Sequence, residues 1–302
     1  MPIEEFYIDF AGANFGRNIA EPAGKIFAAI DGVQLPQASN WKGGPGALVP
    51  SDKPWAEMKR QYSFVEELAA LRPQVQGAGN RERYDYWLNT YRAMSLMAEA
   101  ECARGQLDQT MRAVTSNGAP ASVALAQRIQ LAELWSRLLS LQASIVSTPG
   151  ELGTIANLEQ HTRQNQHFID RHDAELVKAL GAPLPAEAAP ARAYRGPAKI
   201  IVPTVRSSVC QGEALKLNIL ALDQEPMRQI AVKFRALGKG KWKTRSVTHL
   251  ARAVYAATMT EAREDFEYYI IAETAAGEKL VWPPTAPAMN QTVVVTARDR
   301  GL

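Results

Sequence analysis

The spacing of apolar residues divides the chain into two parts with different secondary structure. Up to about residue 181, apolar side chains recur every three or four residues, which is the period of a helix with one buried face. From about residue 199 the period becomes two, which is typical of strands. The pattern predicts an α+β multidomain protein, with a helical domain over 1–181 and a β-sandwich domain over 199–302.

Four long helices are predicted in the first part, and because short turns join them we expect an antiparallel bundle. Asn80 is expected to cap the second helix, and Thr148 and Glu151 form a capping box that would start the fourth with Pro149 at its first position. The apolar positions, helix by helix, are Trp55, Met58, Tyr62 and Val65; Tyr84, Trp87, Tyr91, Met94, Ala98 and Cys102; Val123, Ile129, Trp135, Leu138 and Ile145; and Ile155, Leu158, Ile169 and Leu176.

Seven short strands are predicted in the second part, separated by turn signals such as Gly238 to Gly240. In the run 265–272, alternation places Phe266, Tyr268 and Ile270 on one face. Seven strands in about 100 residues are typical of an immunoglobulin-like or fibronectin-III-like β-sandwich. The predicted strands are 200–202, 215–222, 230–236, 241–246, 254–259, 267–272 and 292–296.

Two segments rich in proline interrupt these patterns. Residues 182–198 contain four prolines and seven alanines, which sustain neither a helix nor a central strand, so this segment is predicted to connect the domains. Residues 31–54 are rich in glycine and proline and predict an ordered loop.

Composition and charge limit the classes of binding partner that we expect for this chain. The chain is 46% hydrophobic and 22% charged, as in ordinary globular proteins. Residues 1–182 carry 17 Lys and Arg against 20 Asp and Glu, whereas 183–302 carry 17 against 11. The excess basic residues of the second part are scattered, so we expect no nucleic-acid partner.

The sequence is compatible with more than one cellular compartment. Membrane association is not expected, since no run approaches the roughly 20 apolar residues that span a bilayer. The first residues lack the basic and apolar regions of a signal peptide, which fits a cytoplasmic protein or a segment of a longer exported chain. Cys102 and Cys210 are expected to be unpaired, buried thiols.

Metal and cofactor motifs are absent from the sequence. It contains no Gly-rich phosphate loop, GxSxG elbow, CxxC or HExxH pattern. The histidines His161, His167 and His172 are six and five residues apart, whereas a metal-binding pair on a helix needs three or four. Neither a metal nor a cofactor is therefore expected.

The densest group of candidate ligand-binding residues lies between 77 and 92. A sugar ring stacks its C–H face on aromatic rings and directs its hydroxyls to planar polar groups, and this segment supplies both. Tyr84, Trp87 and Tyr91 also share one helical stripe, which favours core packing as the alternative. Glu82 and Asp85 are an acid/base pair or simply first-turn charges favoured by the helix dipole. The candidates are Asn80, Arg81, Glu82, Tyr84, Asp85, Tyr86 and Trp87.

A basic hairpin at 239–245 surrounds a further candidate, Trp242. Its mixture of cations and one aromatic residue suits contact with an anionic glycan. The alternative is a solvated hairpin in which Trp242 covers the edge of the sandwich.

A series of short motifs runs along most of the chain: FYIDF at 6–10, NFG at 14–16, GAGN at 77–80, YDYWLN at 84–89, VY at 254–255, EYYI at 267–270, TAP at 285–287 and TVVV at 292–295. In this order they resemble the region that follows the catalytic barrel in large bacterial polysaccharide-degrading glycoside hydrolases. The resemblance implies an accessory, non-catalytic region, whose partners are a polysaccharide or oligosaccharide and a catalytic barrel domain. No catalytic residue is carried over, because βα alternation is missing here.

Two other functions compete with this one. The first is an independent binding or adaptor protein. The second is a stand-alone glycoside hydrolase with its site in the helical domain or at the domain junction, where His167, Asp170 and Arg171 are the next candidates.

Overall fold

The computed structural model describes residues 1–33, 35, 47–259 and 262–297. The chain divides into two compact units, which we call the helical unit and the sandwich unit. The helical unit comprises Met1–Ile145 and Leu152–Ala193, and the sandwich unit comprises Val146–Glu151 and Tyr194–Leu302. The predicted order of helices followed by strands is confirmed, and the domain ranges 1–181, 182–198 and 199–302 stay a prediction.

The described part of the chain contains eight α-helices. Short 3₁₀ turns lie between them at 17–19, 59–62 and 72–74 and after the last of them at 186–188, and a π-helical stretch continues the seventh. Among the described helices, not one combines the length and the apolar character that crossing a membrane needs. The helices are α1 Ile3–Phe15, α2 Ala20–Ile30, α3 Trp55–Met58, α4 Ser63–Leu71, α5 Ala78–Asn117, α6 Ala121–Ile145, α7 Pro149–Asn157 and α8 Asp173–Leu180.

Helix α5 is the element around which the helical unit packs. Its N-terminal half shares one apolar core with α1, α2 and α4, which includes Phe15, Phe27 and Leu88. Its C-terminal half shares a second core with α6 and α8, centred on Trp135. Residues 101–105 are all buried, because neighbouring elements surround the helix at this level.

Segment 47–53 packs closely on α5. Leu48 is buried in the second core, and the N–H of Ser51 donates to the backbone oxygen of Glu101 at 3.0 Å. The Ser51 oxygen lies 1.8 Å from where a Cβ on Gly105 would stand, so only glycine fits there. Segment 47–53 belongs to the predicted loop 31–54, of which residues 34 and 36–46 lie outside the described residues.

The predicted fourth helix is not continuous. The π-helical stretch Leu158–Asn165 ends it, His167 adopts a left-handed backbone conformation with φ 52°, and α8 begins only at Asp173. The physical reason is a long-range contact: the buried Arg104 guanidinium binds the backbone oxygens of His167 and Phe168. These carbonyls therefore need no helical partner, and Phe168 and Ile169 turn into the core. The first predicted helix is likewise divided, by the 3₁₀ turn at 59–62.

One predicted helix start is confirmed and one is wrong. Helix α7 begins at Pro149, and Oε2 of Glu151 accepts the N–H of Thr148 at 2.8 Å, as a capping box requires. Helix α5 begins at Ala78, after Gly77 with φ 83°, so Asn80 lies inside the first turn and does not cap it.

The sandwich unit contains ten strands within its described residues. One sheet has the order β1-β3-β7-β6, and the other has the order β2-β10-β8-β4-β5 with β9 also paired to β8. All neighbours are antiparallel except β2 and β10. The strands are β1 Lys199–Ile201, β2 Ser208–Cys210, β3 Leu215–Leu222, β4 Gln229–Ala236, β5 Lys243–Ser246, β6 Thr248–Ala251, β7 Val254–Met259, β8 Phe266–Glu273, β9 Lys279–Trp282 and β10 Gln291–Thr296.

Both sheets contribute to a single apolar core, so the unit is a β-sandwich. Leu217 and Ile219 enter the core from one sheet, and Tyr268, Ile270 and Val293 enter it from the other. The predicted alternation along β8 is confirmed, and the seven predicted strands are present. The pattern missed β2, β6 and β9, which have three or four residues each, too few to show a period.

The first part of the predicted connector is attached to the helical unit. Ala188 is buried in a 3₁₀ turn, and its backbone oxygen accepts Nη1 of Arg128 at 2.6 Å. The N–H of Ala191 donates to Oγ of Ser136 at 2.8 Å. Residues 186–191 thus have specific partners on α6 despite their Pro/Ala-rich composition.

The two cysteines differ in exposure. Both are unpaired, and Cys102 is buried as predicted. Cys210 is exposed, so the prediction of a second buried thiol is wrong: it ends the short strand β2 on the side away from the core.

Candidate functional site

Tyr84, a predicted ligand-binding residue, lies in the core of the helical unit. It is 1% exposed, and its hydroxyl donates to the backbone oxygen of Leu68 at 2.7 Å. Burial raises the pKa of this phenol. A ligand-contacting role for Tyr84 is therefore wrong, because the side chain anchors α5 to α4.

Trp87 belongs to an aromatic cluster formed by α1, α2 and α5. Its ring meets Phe10 and Phe27 edge to face, with centroids 6.2 and 5.7 Å apart, and stacks on Tyr91 at 6.1 Å. The indole is half-buried. These contacts favour the packing alternative for the stripe of Tyr84, Trp87 and Tyr91.

Truncating Trp87 should separate packing from ligand binding. We expect Trp87→Ala to lower the free energy of unfolding by about 3 kcal/mol, the lower end for a large aromatic residue, since the indole is only half-buried. Chemical denaturation measures the change. Arg81→Ala is the control, because Arg81 is an exposed side chain of the same helix. An unchanged denaturation midpoint for Trp87→Ala would contradict the packing role.

The polar candidates beside Trp87 are held by protein partners. Nε and Nη2 of Arg72 donate to the two carboxylate oxygens of Asp85 at 2.6 and 2.7 Å, which leaves this carboxylate unsuited to acid/base work with Glu82. Asn80 donates to the backbone oxygen of Gln76 at 3.0 Å. Arg81, Glu82 and Tyr86 are exposed, and the Tyr86 ring meets Trp87 edge to face with centroids 5.8 Å apart.

The residues suggested for a junction site lie in the irregular segment after the π-helical stretch. Nδ1 of His167 lies 3.0 Å from Oδ1 of Asp170, and both side chains are exposed. The N–H of Arg171 donates to the His167 oxygen at 3.2 Å. In the described part of the chain, no three His, Cys, Asp or Glu side chains are grouped so as to hold a metal ion.

Sequence reasoning missed a polar network, built on the buried Arg104, that joins this segment to α5. Arg104, whose side chain is 2% exposed, binds Asp108, and Oδ1 of Asp108 also lies 2.7 Å from Nε2 of His172. The network ties segment 167–172 to α5. No motif reveals it, because His172 is 64 residues away from Asp108 along the chain.

Trp242 lies on the outer face of the larger sheet, opposite the core. On this face the strand register places Lys233 of β4 opposite Tyr269 of β8, and Arg235 opposite Glu267. We call the group of Lys233, Arg235, Trp242, Glu267 and Tyr269 the aromatic face. Alternation along β4 and β8 brings these side chains to one surface, because their even-numbered neighbours fill the core.

Two side chains hold the indole of Trp242 in position. The Tyr269 ring meets it nearly at right angles, with centroids 4.7 Å apart. The guanidinium of Arg235 lies over the indole with Cζ 4.3 Å from the ring centroid, a cation–π contact. Trp242 is half-buried, so part of the ring faces solvent.

Glu267 holds the Arg235 guanidinium in its position over Trp242. It is 7% exposed, and its Oε1 accepts Nε of Arg235 at 2.7 Å while Oε2 accepts Nδ2 of Asn290 at 2.8 Å. Burial alone would raise the pKa of this carboxyl, but the hydrogen bonds from Asn290 and Arg235 bring it below its usual value. The carboxylate therefore stays ionised and orients Arg235 over Trp242.

Comparison with known proteins identifies no family: no family model matches the chain, and no curated protein matches it. Two similar solved structures are immunoglobulin-type proteins. The N-terminal Ig1-2 module of the Drosophila receptor protein tyrosine phosphatase DLAR is 17% identical over 35% of this chain and 52% of that one, with a TM-score of 0.25. Murine CRIg is 12% identical over 34% of this chain and 99% of that one, with a TM-score of 0.23. The chain thus spans about half the length of the DLAR module, and at these TM-scores the likeness carries no weight for function.

Proposed function

We propose that this chain is an accessory, non-catalytic region of a carbohydrate-active enzyme, which supports a glycoside hydrolase domain and contacts glycan. The observation that carries the proposal is the aromatic face, where Trp242 and Tyr269 are held on a rigid sheet by Arg235 and Glu267. The proposal includes the finer fold classes expected from the sequence, an antiparallel bundle and an immunoglobulin-like or fibronectin-III-like sandwich.

The geometry of the aromatic face suits a sugar ring. A pyranose presents an apolar C–H face that packs on an indole, and its hydroxyls form hydrogen bonds with planar polar groups at the rim. Trp242 supplies a ring whose orientation is restrained from two sides. A restrained ring loses little conformational entropy when a ligand binds, which supports a site on this sheet over one on a mobile loop.

The carboxylates near the candidate residues support an accessory role. Hydrolysis of a glycoside usually needs two carboxyl groups about 5–10 Å apart, one of them protonated. Asp85 is bound at both oxygens by Arg72, and Glu267 is ionised and bound at both of its oxygens. Neither has the freedom of a general acid.

The test is a binding and activity assay on the purified chain. We expect it to bind at least one polysaccharide of a panel of cellulose, xylan, agar, pectin and polygalacturonate in affinity electrophoresis, and to release no reducing ends. Trp242→Ala should abolish the retardation with little change in melting temperature. Leu250→Ala is the matched control, since Leu250 is exposed on β6 of the other sheet.

Three results would contradict the proposal. Failure to bind any glycan of the panel, or binding unaffected by Trp242→Ala, would remove the aromatic face as a glycan site. Reproducible cleavage of an oligosaccharide by the purified chain would replace the accessory role with a hydrolase.

A further inference from the structure

The aromatic face carries an excess of positive charge. Glu267 is its single acidic member, and that charge is taken up by Arg235 at 2.7 Å. Lys233 lies on the same face, and its Nζ donates to the uncharged Oγ1 of Thr244 at 2.7 Å. Within the described part of the chain, Lys233 has no carboxylate within ion-pair distance. Lys233 therefore leaves this face with one uncompensated cation.

Two further lysines lie next to Trp242 in the chain. Lys241 and Lys243 are both exposed, and neither has a carboxylate within ion-pair distance among the described residues. Lys239, in the same hairpin, is 3.5 Å from Glu264, which shows that acids are available nearby but do not pair with these two. The hairpin thus extends the positive charge around the indole.

Arg235 adds directional binding capacity. Its Nε donates to Glu267, while in the described structure neither Nη donates to a protein oxygen. A guanidinium that is already oriented presents its remaining N–H groups as a fork, which matches the two oxygens of a carboxylate or a sulfate.

We propose that the aromatic face binds an acidic polysaccharide, with the sugar ring on Trp242 and Tyr269 and its anionic substituent on Lys233 and Arg235. This inference rests on the proposed glycan-binding function and specifies its ligand class. Charge complementarity selects an anionic chain, and the half-exposed indole of Trp242, bordered by the Tyr269 ring, selects a sugar ring over an extended acidic peptide. The shared chemistry is a carboxylate or sulfate group on a pyranose.

Pairs of an acidic and a neutral polysaccharide test the inference. Dissociation constants are measured by calorimetry at low ionic strength for polygalacturonate and for the same polymer with its carboxyls methyl-esterified, and for sulfated carrageenan beside neutral agarose. We expect at least one acidic member to bind about tenfold more tightly than its neutral partner, with the preference reduced by added salt. Which pair shows the preference distinguishes carboxylate from sulfate.

Variants assign the preference to the aromatic face. Lys233→Gln should weaken binding of the acidic polymer about two- to fivefold, the size expected for an exposed charge pair, and weaken binding of the neutral polymer by a smaller factor. Lys216→Gln is the matched control, since Lys216 is exposed on β3 of the other sheet. Melting temperatures verify that both variants are folded.

Each other outcome overturns a specific statement. Equal affinity for charged and neutral members of both pairs would overturn the acidic preference but keep the proposed function. Binding to no polysaccharide would overturn the proposed function itself. Equally tight binding of single-stranded DNA would overturn the inference in favour of general attraction to polyanions.

Discussion

Arg128→Ala is expected to lower the free energy of unfolding of the helical unit by about 3 kcal/mol. Arg128 is 4% exposed on α6, and its Nε and Nη2 donate to both oxygens of Asp173 at 2.7 and 2.9 Å. Its Nη1 donates to the Ala188 oxygen at 2.6 Å. Truncation leaves a cavity, an unpaired carboxylate and a carbonyl without its donor. We take the lower end of the range for a broken buried pair because the Asp173 side chain is 29% exposed and can regain water.

The loss of stability should be concentrated in residues 186–191. Helix α8 keeps Leu176 in the core, whereas the 3₁₀ turn at 186–188 loses the Arg128 bond that holds it. Hydrogen exchange should therefore accelerate most at 186–191, and denaturant unfolding measures the total. Arg137→Ala, an exposed arginine on the same helix, is the control and should change stability little. Equal effects of the two variants would show that the Arg128 contacts do not stabilise the unit.

Glu101→Gln is expected to stabilise the helical unit at pH 8 by about 3 kcal/mol and to have little effect at pH 4. Glu101 is 6% exposed on α5, and its Oε1 accepts the N–H of Val49 at 2.8 Å. Burial raises the pKa of this carboxyl to about 7, and the Val49 hydrogen bond only partly opposes that shift. Glutamine keeps the shape and the acceptor but carries no charge.

The direction of this pH effect on stability follows from proton linkage. An acid whose pKa is higher in the folded state than its usual 4.5 binds more protons when folded. Its contribution to stability is fully present below pH 4.5 and is lost as the pH rises through 7. Between pH 4.5 and about pH 7 the free energy of unfolding of the wild-type protein should therefore fall relative to that of the variant.

The measurement is denaturant unfolding of both proteins between pH 4 and pH 8, with the difference between them plotted against pH. The contribution of other titrating groups to the free energy of unfolding is the same in both proteins, so it cancels in that difference. Glu67→Gln, an exposed glutamate on α4, is the control and should give a flat difference. A flat difference for Glu101→Gln as well would contradict the buried titration. Hydrogen exchange at Val49 and Ser51 would report whether segment 47–53 loosens at high pH.

The candidate site shows where sequence reasoning reached its limit. The stripe of Tyr84, Trp87 and Tyr91 correctly indicated a buried helical face, yet its aromatic composition also resembled a ligand platform. Composition cannot separate these roles, because an indole packs equally well against protein and against sugar. The contacts of Trp87 with Phe10 and Phe27, about 60 to 77 residues away in the chain, decide in favour of packing.

Trp242 shows the reverse case. Its setting in a basic hairpin was visible in the sequence, but the partners that hold it were not. Arg235, Glu267 and Tyr269 meet it through the register of β4 with β8. A period of two predicts which side chains of one strand share a face, and it contains no information about which strand lies alongside.

By itself, the sequence determined the order of helices followed by strands, the buried face of β8 and the capping box that starts α7. These features depend on the chain's local periodicity and on contacts across a few residues, so they can be read from short windows. Tertiary structure alone decided the break after Asn165, the attachment of 186–191 and the aromatic face. Each depends on a side chain from a distant element, Arg104, Arg128 and Arg235 respectively, that replaces or redirects a local preference. The buried guanidinium groups of Arg104 and Arg128 each satisfy several acceptors at once, so their positions outweigh the weak propensities of the segments that they bind.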